Sequence, residues 1–141
     1  IRTGLVLGEG GGLLKRMLVP FKLGFGGKLG NGQQWMSWVH VDDWVAIADT
    51  LINREDLQGA FNASSPQPVT NAEFSQTLAA ILHRPMLLPL PAWLLKTLLG
   101  EMSELLLGSQ WVMPERLLSN GFNFQYDNLQ FALNQILQNR Y

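Results

Sequence analysis

The sequence predicts an α/β fold with a smaller mixed cap after residue 83. Three observations carry that expectation. Short apolar runs of strand length alternate with segments of helical periodicity through residue 83. Beyond it, Pro85, Pro89 and Pro91 break the alternation and lead into helix-length, mostly apolar stretches. The chain has 141 residues, enough to bury a core without covalent staples.

Taken in order, Ile1-Arg2-Thr3-Gly4-Leu5-Val6-Leu7 reads as one strand of a larger sheet. Leu14, Met17, Leu18 and Phe21 follow helical spacing, and Pro20, which lacks an N–H to donate, is expected to kink or end that helix. A glycine-rich loop runs from Gly24 to Gly32, and Gln34 to Val39 alternates as a short strand. Val41, Trp44, Val45, Ala48 and Ile52 mark one face of the next helix, whose first turn holds Asp42 and Asp43, where the helix dipole favours negative charge. Gly59 to Ala63 is a second strand candidate. Thr70-Asn71-Ala72-Glu73 has capping-box form ahead of Phe74, Leu78, Ile81 and Leu82 at core-facing helical positions. Ala92 to Leu107 reads as helix with a break point at Gly100. Pro114 opens a short helix ending at Gly121, Phe122 to Tyr126 reads as a strand, and Leu129, Leu133, Ile136 and Leu137 stripe a final helix.

Charged residues make up only 15% of the chain and hydrophobic ones 47%, against a usual charged share of roughly 25%. So little charge implies a surface covered by another protein segment. The net charge of −1 leaves no electrostatic footprint for nucleic acid or an acidic membrane. Without cysteine there is neither disulfide nor thiolate chemistry, which fits a reducing, cytoplasmic setting. No apolar stretch approaches the roughly 18 to 20 residues that span a bilayer. Asn62-Ala63-Ser64 has the form of a glycosylation sequon, relevant only in a secreted protein, and is read structurally.

Thr3, Gly4, Gly8 and Gly10 have the spacing of a pyrophosphate-cradling glycine fingerprint. That chemistry requires a strand before the glycines, a helix directly after, and an acidic residue about 20 positions on. Here the strand contains the motif itself, and residues 20–30 hold no Asp or Glu. Gly24, Gly26 and Gly30 repeat the spacing, but Asn31-Gly32 is a turn signal with extended chain beyond it. Ser37, His40 and Asp42 or Asp43 include the residue types of a nucleophile, base and orienter, yet such sets are defined by geometry rather than closeness in sequence. Two histidines and no cysteines give zinc no ligand set. Of the tryptophans at 35, 38, 44, 93 and 111, most are expected in the core, with Trp35 beside the glycine loop kept as a ligand candidate.

A family pattern emerges from Arg2-Thr3-Gly4-Leu5-Val6-Leu7-Gly8, Gly11-Gly12, and the block Gly32-Gln33-Gln34-Trp35-Met36-Ser37-Trp38-Val39-His40-Val41-Asp42-Asp43. It continues through Asn62-Ala63, Pro68-Val69-Thr70-Asn71-Ala72-Glu73-Phe74, Leu99-Gly100-Glu101-Met102 and Gly121-Phe122-Asn123-Phe124. These residues resemble the atypical, sugar-nucleotide-epimerase-like branch of the extended short-chain dehydrogenase/reductases, with its characteristic C-terminal domain. The resemblance implies the C-terminal part of a Rossmann-type doubly wound sheet over residues 1–83, bearing a substrate-side segment, and a small helical or mixed domain over 84–141. It implies NAD or NADP bound through a parent chain, with Thr3 and Gly4 near the nicotinamide. The implied partners are the chain's own N-terminal Rossmann half and a small-molecule substrate, a nucleotide sugar among the options.

Leu5 and Met36 stand where many extended members carry an asparagine and an arginine serving the nucleotide-sugar substrate. Leucine donates no hydrogen bond, and methionine cannot make the paired contact that arginine makes to phosphate. Arg2, Ser37, His40 and Arg116 join Trp35 as substrate-wall candidates, since a substrate pocket is mainly apolar with a few polar groups aimed inward. Neither Tyr126 nor Tyr141 has a lysine four residues on, so the family's proton-transfer pair is not in this chain and the segment alone is expected to be inert. The competing expectations are a cofactor-sensing or interaction protein that kept the fold without turnover, and a homodimer formed through residues 92–107.

Overall fold

The computed structural model describes residues 1–8, 12–23, 27–28, 31–85, 93, 96–97, 100, 108–109 and 111–138. Two strand pieces open it, β1 (Arg2–Thr3) and β2 (Leu5–Leu7). The single strand expected over residues 1–7 is divided at Gly4, because the chain changes neighbours there. β1 pairs in parallel with β5 (Asn62–Ala63), whereas β2 pairs in parallel with β4 (Trp38–His40). The strand expected over 34–39 is divided in the same way at Ser37. Its first piece, β3 (Trp35–Met36), runs antiparallel to β6 (Val69–Thr70).

Successive side chains of a strand point to opposite faces, and the β2–β4 pair uses both. Leu5, Leu7 and Trp38 face one core together with Leu14, Met17, Leu18 and Phe21 of α1 (Gly12–Lys22), Phe74 and Leu78 of α3 (Asn71–Leu82), and Leu129, Leu133, Ile136 and Leu137 of the last helix. Val6 and Val39 face a second core of Ile47, Phe61, Ala63 and Leu117. The result is a parallel pair with helices on both faces, an α/β arrangement.

Pro20 does not end α1; the helix runs two residues further, to Lys22. Proline's missing donor falls in the last turn, where only one backbone bond is lost, and that turn brings Phe21 into the core. Helix α2 (Val41–Asn53) forms as expected but turns a different face inward: Asp43 and Ile47 are buried, while Val45 and Ile52 are 56% and 79% exposed. Asp43 belongs to the inner face because its carboxylate accepts the main-chain N–H groups of Gln125 and Tyr126, both at 2.9 Å. Past the end of α2, Arg54 donates to Asp56 at 2.7 Å, a bond that holds the exposed Asp56 carboxyl below its ordinary range, and a second guanidinium nitrogen reaches the Asn120 carbonyl.

Helix α3 starts as its capping box predicts, with Thr70 Oγ1 accepting the Glu73 N–H at 3.2 Å. It ends on His83 in the left-handed conformation. Helix α4 (Glu115–Ser119) follows Pro114, and α5 (Leu129–Gln138) buries the expected Leu129, Leu133, Ile136 and Leu137. Residues 122–126 form no strand; the N–H groups of Gln125 and Tyr126 go to Asp43 instead of a neighbouring strand. The helix expected over 92–107 and the loop from Gly24 lie mostly outside the described residues. The Asn31-Gly32 turn is present, with Gly32 at φ 72° and Asn31 Oδ1 accepting the Gln33 N–H. Among the described residues no helix is long and apolar enough to cross a membrane, and no group of three His, Cys, Asp or Glu side chains gathers to hold a metal.

Candidate functional site

A cleft of about 800 Å³ opens beside β1 and the residue that follows it, lined by Arg2, Thr3, Gly4, Asn62, Ser109, Trp111, Val112, Met113 and Glu115. Ligands of parallel sheets gather at the carboxyl ends of strands, and Gly4 occupies that position after β1. Its floor is set by close backbone approach. A Cβ on Gly4 would stand 2.7 Å from the Ser37 carbonyl oxygen, the same oxygen that accepts the Leu5 N–H at 2.8 Å. Backbone cannot yield as a flexible side chain does, so Gly4→Ala is expected to destabilise the protein by about 2 kcal/mol. Urea unfolding checks this; an unchanged midpoint would show that the strand yields freely.

The opposite wall, Ser109 and residues 111–113, is held to the strands by polar contacts. The Trp35 N–H donates to Ser109 Oγ at 3.0 Å and the Val112 N–H to Ser37 Oγ at 2.9 Å. Ser64 Oγ donates to the Val112 carbonyl at 3.2 Å, and Asn62 Nδ2 to the Met113 carbonyl at 3.3 Å. Trp35 meets Trp111 edge to face, with ring centroids 4.4 Å apart.

Of the residues singled out from sequence, Arg2, Thr3 and Gly4 line the cleft directly. Thr3 Oγ1 accepts the indole N–H of Trp44 at 3.1 Å, which fixes its hydroxyl. Trp35 and Ser37 stand behind the opposite wall and hold it. His40 and Arg116 are not among the lining residues. His40 is buried, stacked on Tyr126 at 3.8 Å; Nδ1 accepts the Asp42 N–H, and Nε2 lies 2.7 Å from Gln135 Oε1. Those partners match the neutral ring carrying its hydrogen on Nε2, and they knit β4 to α2 and α5. Arg116 donates to the Gln58 and Ala60 carbonyls, both at 2.7 Å, and lies over the Phe61 ring.

Sequence reasoning missed the wall itself. Most of the tryptophans were expected in the core, yet Trp93 and Trp111 are exposed and only Trp38 is fully buried. No local signal marks Ser109 and residues 111–113, because the contacts that place them come from residues distant in sequence. Asn62, read structurally, both lines the cleft and holds its wall.

Residues 90–136 match the family described as Domain of unknown function (DUF1731). The chain is 39% identical over 139 residues to the epimerase family protein YfhF of Bacillus subtilis, covering 99% of this chain and 46% of that protein. The crystal structure of human epimerase family protein SDR39U1 (isoform 2) with NADPH superposes with a TM-score of 0.90 at 38% identity, covering 98% of this chain and 47% of that one. The nucleoside-diphosphate sugar epimerase from Corynebacterium glutamicum gives a TM-score of 0.76 at 30% identity, over 97% of this chain and 25% of that one. The α/β expectation therefore holds, and the fold matches that of Rossmann-type short-chain dehydrogenase/reductases. The chain spans less than half the length of these relatives. Close similarity along nearly all of its residues, together with the match at 90–136, makes the chain similar to the part of SDR39U1-type epimerase family proteins that carries their DUF1731 C-terminal domain.

Proposed function

We propose that this chain is the substrate-side, C-terminal portion of an NAD(P)-dependent epimerase-like oxidoreductase, completed by its own N-terminal Rossmann half. The observation that carries the reading is the cleft at Thr3 and Gly4, which lies open beside β1 and faces a wall held in place from the strands. In this reading residues 1–83 complete the Rossmann domain and 84–141 form the smaller C-terminal domain. Thr3 and Gly4 flank the nicotinamide, while Arg2 faces substrate and Trp35 and Ser37 position the wall against it.

The residues present fit such a cofactor. Gly4 presents no side chain, Thr3 is fixed by Trp44, and the space exceeds a nicotinamide ring. A bound NAD(P) supplies hydride exchange at a carbon bearing oxygen; the chain's own residues shape and close the space beside it. Tyr126, the described tyrosine, is buried against His40 and Phe131, so it supplies no acid or base to the cleft. Proton transfer in this reading belongs to the proposed N-terminal half.

Tryptophan-fluorescence titration with NADPH and NADH, on this chain and on the full-length protein, tests the reading. Tight binding is expected only from the full-length protein. Equally tight binding by the 141-residue chain would overturn the division of labour, and absence of binding by both would overturn the cofactor. The second reading, cofactor sensing without turnover, draws on Leu5 and Met36, both of which pack with the core. It predicts binding with no turnover on any carbonyl or carbinol compound.

A further inference from the structure

Trp111 lines the cleft while more than half exposed, at 56%. An exposed tryptophan is ordinarily free to turn, but here a second indole and a tied backbone restrain it. Trp35 braces it edge to face at 4.4 Å, and its neighbours Ser109, Val112 and Met113 are tied to the strands by the polar contacts of the wall. A flat ring braced by a second indole beside apolar Val112 and Met113 can serve as a stacking platform at reduced ordering cost.

The charges of the cleft narrow what can lie there. Among its described lining residues the charged groups are Arg2 and Glu115, which cancel. A diphosphate bears about two negative charges and would meet Glu115 with one arginine to offset them. Met36 offers nothing to such a ligand: it is buried, with its sulfur 3.5 Å from Asn71 Nδ2.

We propose that the cleft takes an uncharged substrate with a flat aromatic ring laid against Trp111 and selects against nucleoside diphosphates. This rests on the proposed function for the nature of the reacting carbon, but not for the recognition. Trp111 is a specificity residue, and Trp35 and Ser37 are positioning residues acting through it.

The test uses the full-length protein, with and without NADPH. Binding of 4′-fluoroacetophenone is followed by fluorine NMR, and binding of uridine diphosphate by calorimetry. The ketone is expected to bind more tightly than the diphosphate. Trp111→Ala should weaken the ketone about fivefold, while Trp111→Phe stays within about twofold, as expected for loss and retention of ring stacking. Trp111 is exposed, so both variants are expected to fold, which their circular dichroism verifies. Tighter binding of uridine diphosphate, or a ketone affinity unchanged in Trp111→Ala, would overturn the proposal even if NADPH binds. Ketone binding through Trp111 without NADPH binding would uphold it while sinking the cofactor reading.

Discussion

Replacing Asp43 by alanine is expected to lower stability by about 4 kcal/mol, because two buried main-chain donors lose their acceptor at once and each unpaired group costs about 1–3 kcal/mol. The carboxylate reaches from the first turn of α2 to Gln125 and Tyr126, at 2.9 Å each, and is itself 2% exposed. It fixes the segment entering α5 and, through Tyr126, the ring against which His40 stacks. Asp43→Asn keeps one acceptor oxygen and turns an amide donor toward the other N–H, so a loss of about 2 kcal/mol is expected. Urea unfolding of wild type and both variants checks the order. A loss in Asp43→Ala no larger than that of an exposed substitution would mean that the 125–126 segment finds other partners.

Trp38→Ala is expected to cost a similar amount, about 4 kcal/mol, the usual scale for removing a large aromatic from a packed core. Trp38 is fully buried in the first core, and its indole N–H donates to the Gln67 carbonyl at 2.9 Å. It therefore joins β4 to the approach of β6 as well as filling volume. Trp38→Phe keeps most of the packing and strands one carbonyl, so a loss of about 1–2 kcal/mol is expected. If the two variants unfold at the same urea concentration, the hydrogen bond rather than the packing sets the effect.

These two residues mark where the sequence could and could not be read. Trp38 belongs to an alternating run, and alternation is local, so its inward position follows from its neighbours. The same holds for α3, announced by Thr70 and Glu73, and for α5, whose stripe of Leu129, Leu133, Ile136 and Leu137 is uninterrupted. Asp43 defeats that logic. Counting only apolar residues turns α2 onto Val41, Trp44, Val45, Ala48 and Ile52; Trp44 does pack against the second core, but the buried positions are Asp43 and Ile47. A carboxylate belongs inside only when its donors are known, and those donors lie far along the chain. The candidate site divides in the same way. Thr3 and Gly4, named from the resemblance, and Arg2, named as a polar group for a substrate wall, do line the cleft, while Trp111 and Val112 were not legible, since Ser37, Ser64 and Asn62 position their segment from distant elements.

The two-faced β2–β4 pair has a further consequence for fidelity. A slip of β4 by one residue would turn its side chains to the opposite faces, sending Trp38 toward the space of the second core and Val39 toward that of Leu5 and Leu7. One compartment would be overfilled and the other left hollow, and close-packed interiors tolerate neither. The pairing therefore proofreads itself by volume: side-chain sizes on opposite faces of three residue pairs reject the wrong alignment, although the pair is too short for its hydrogen bonds alone to do so.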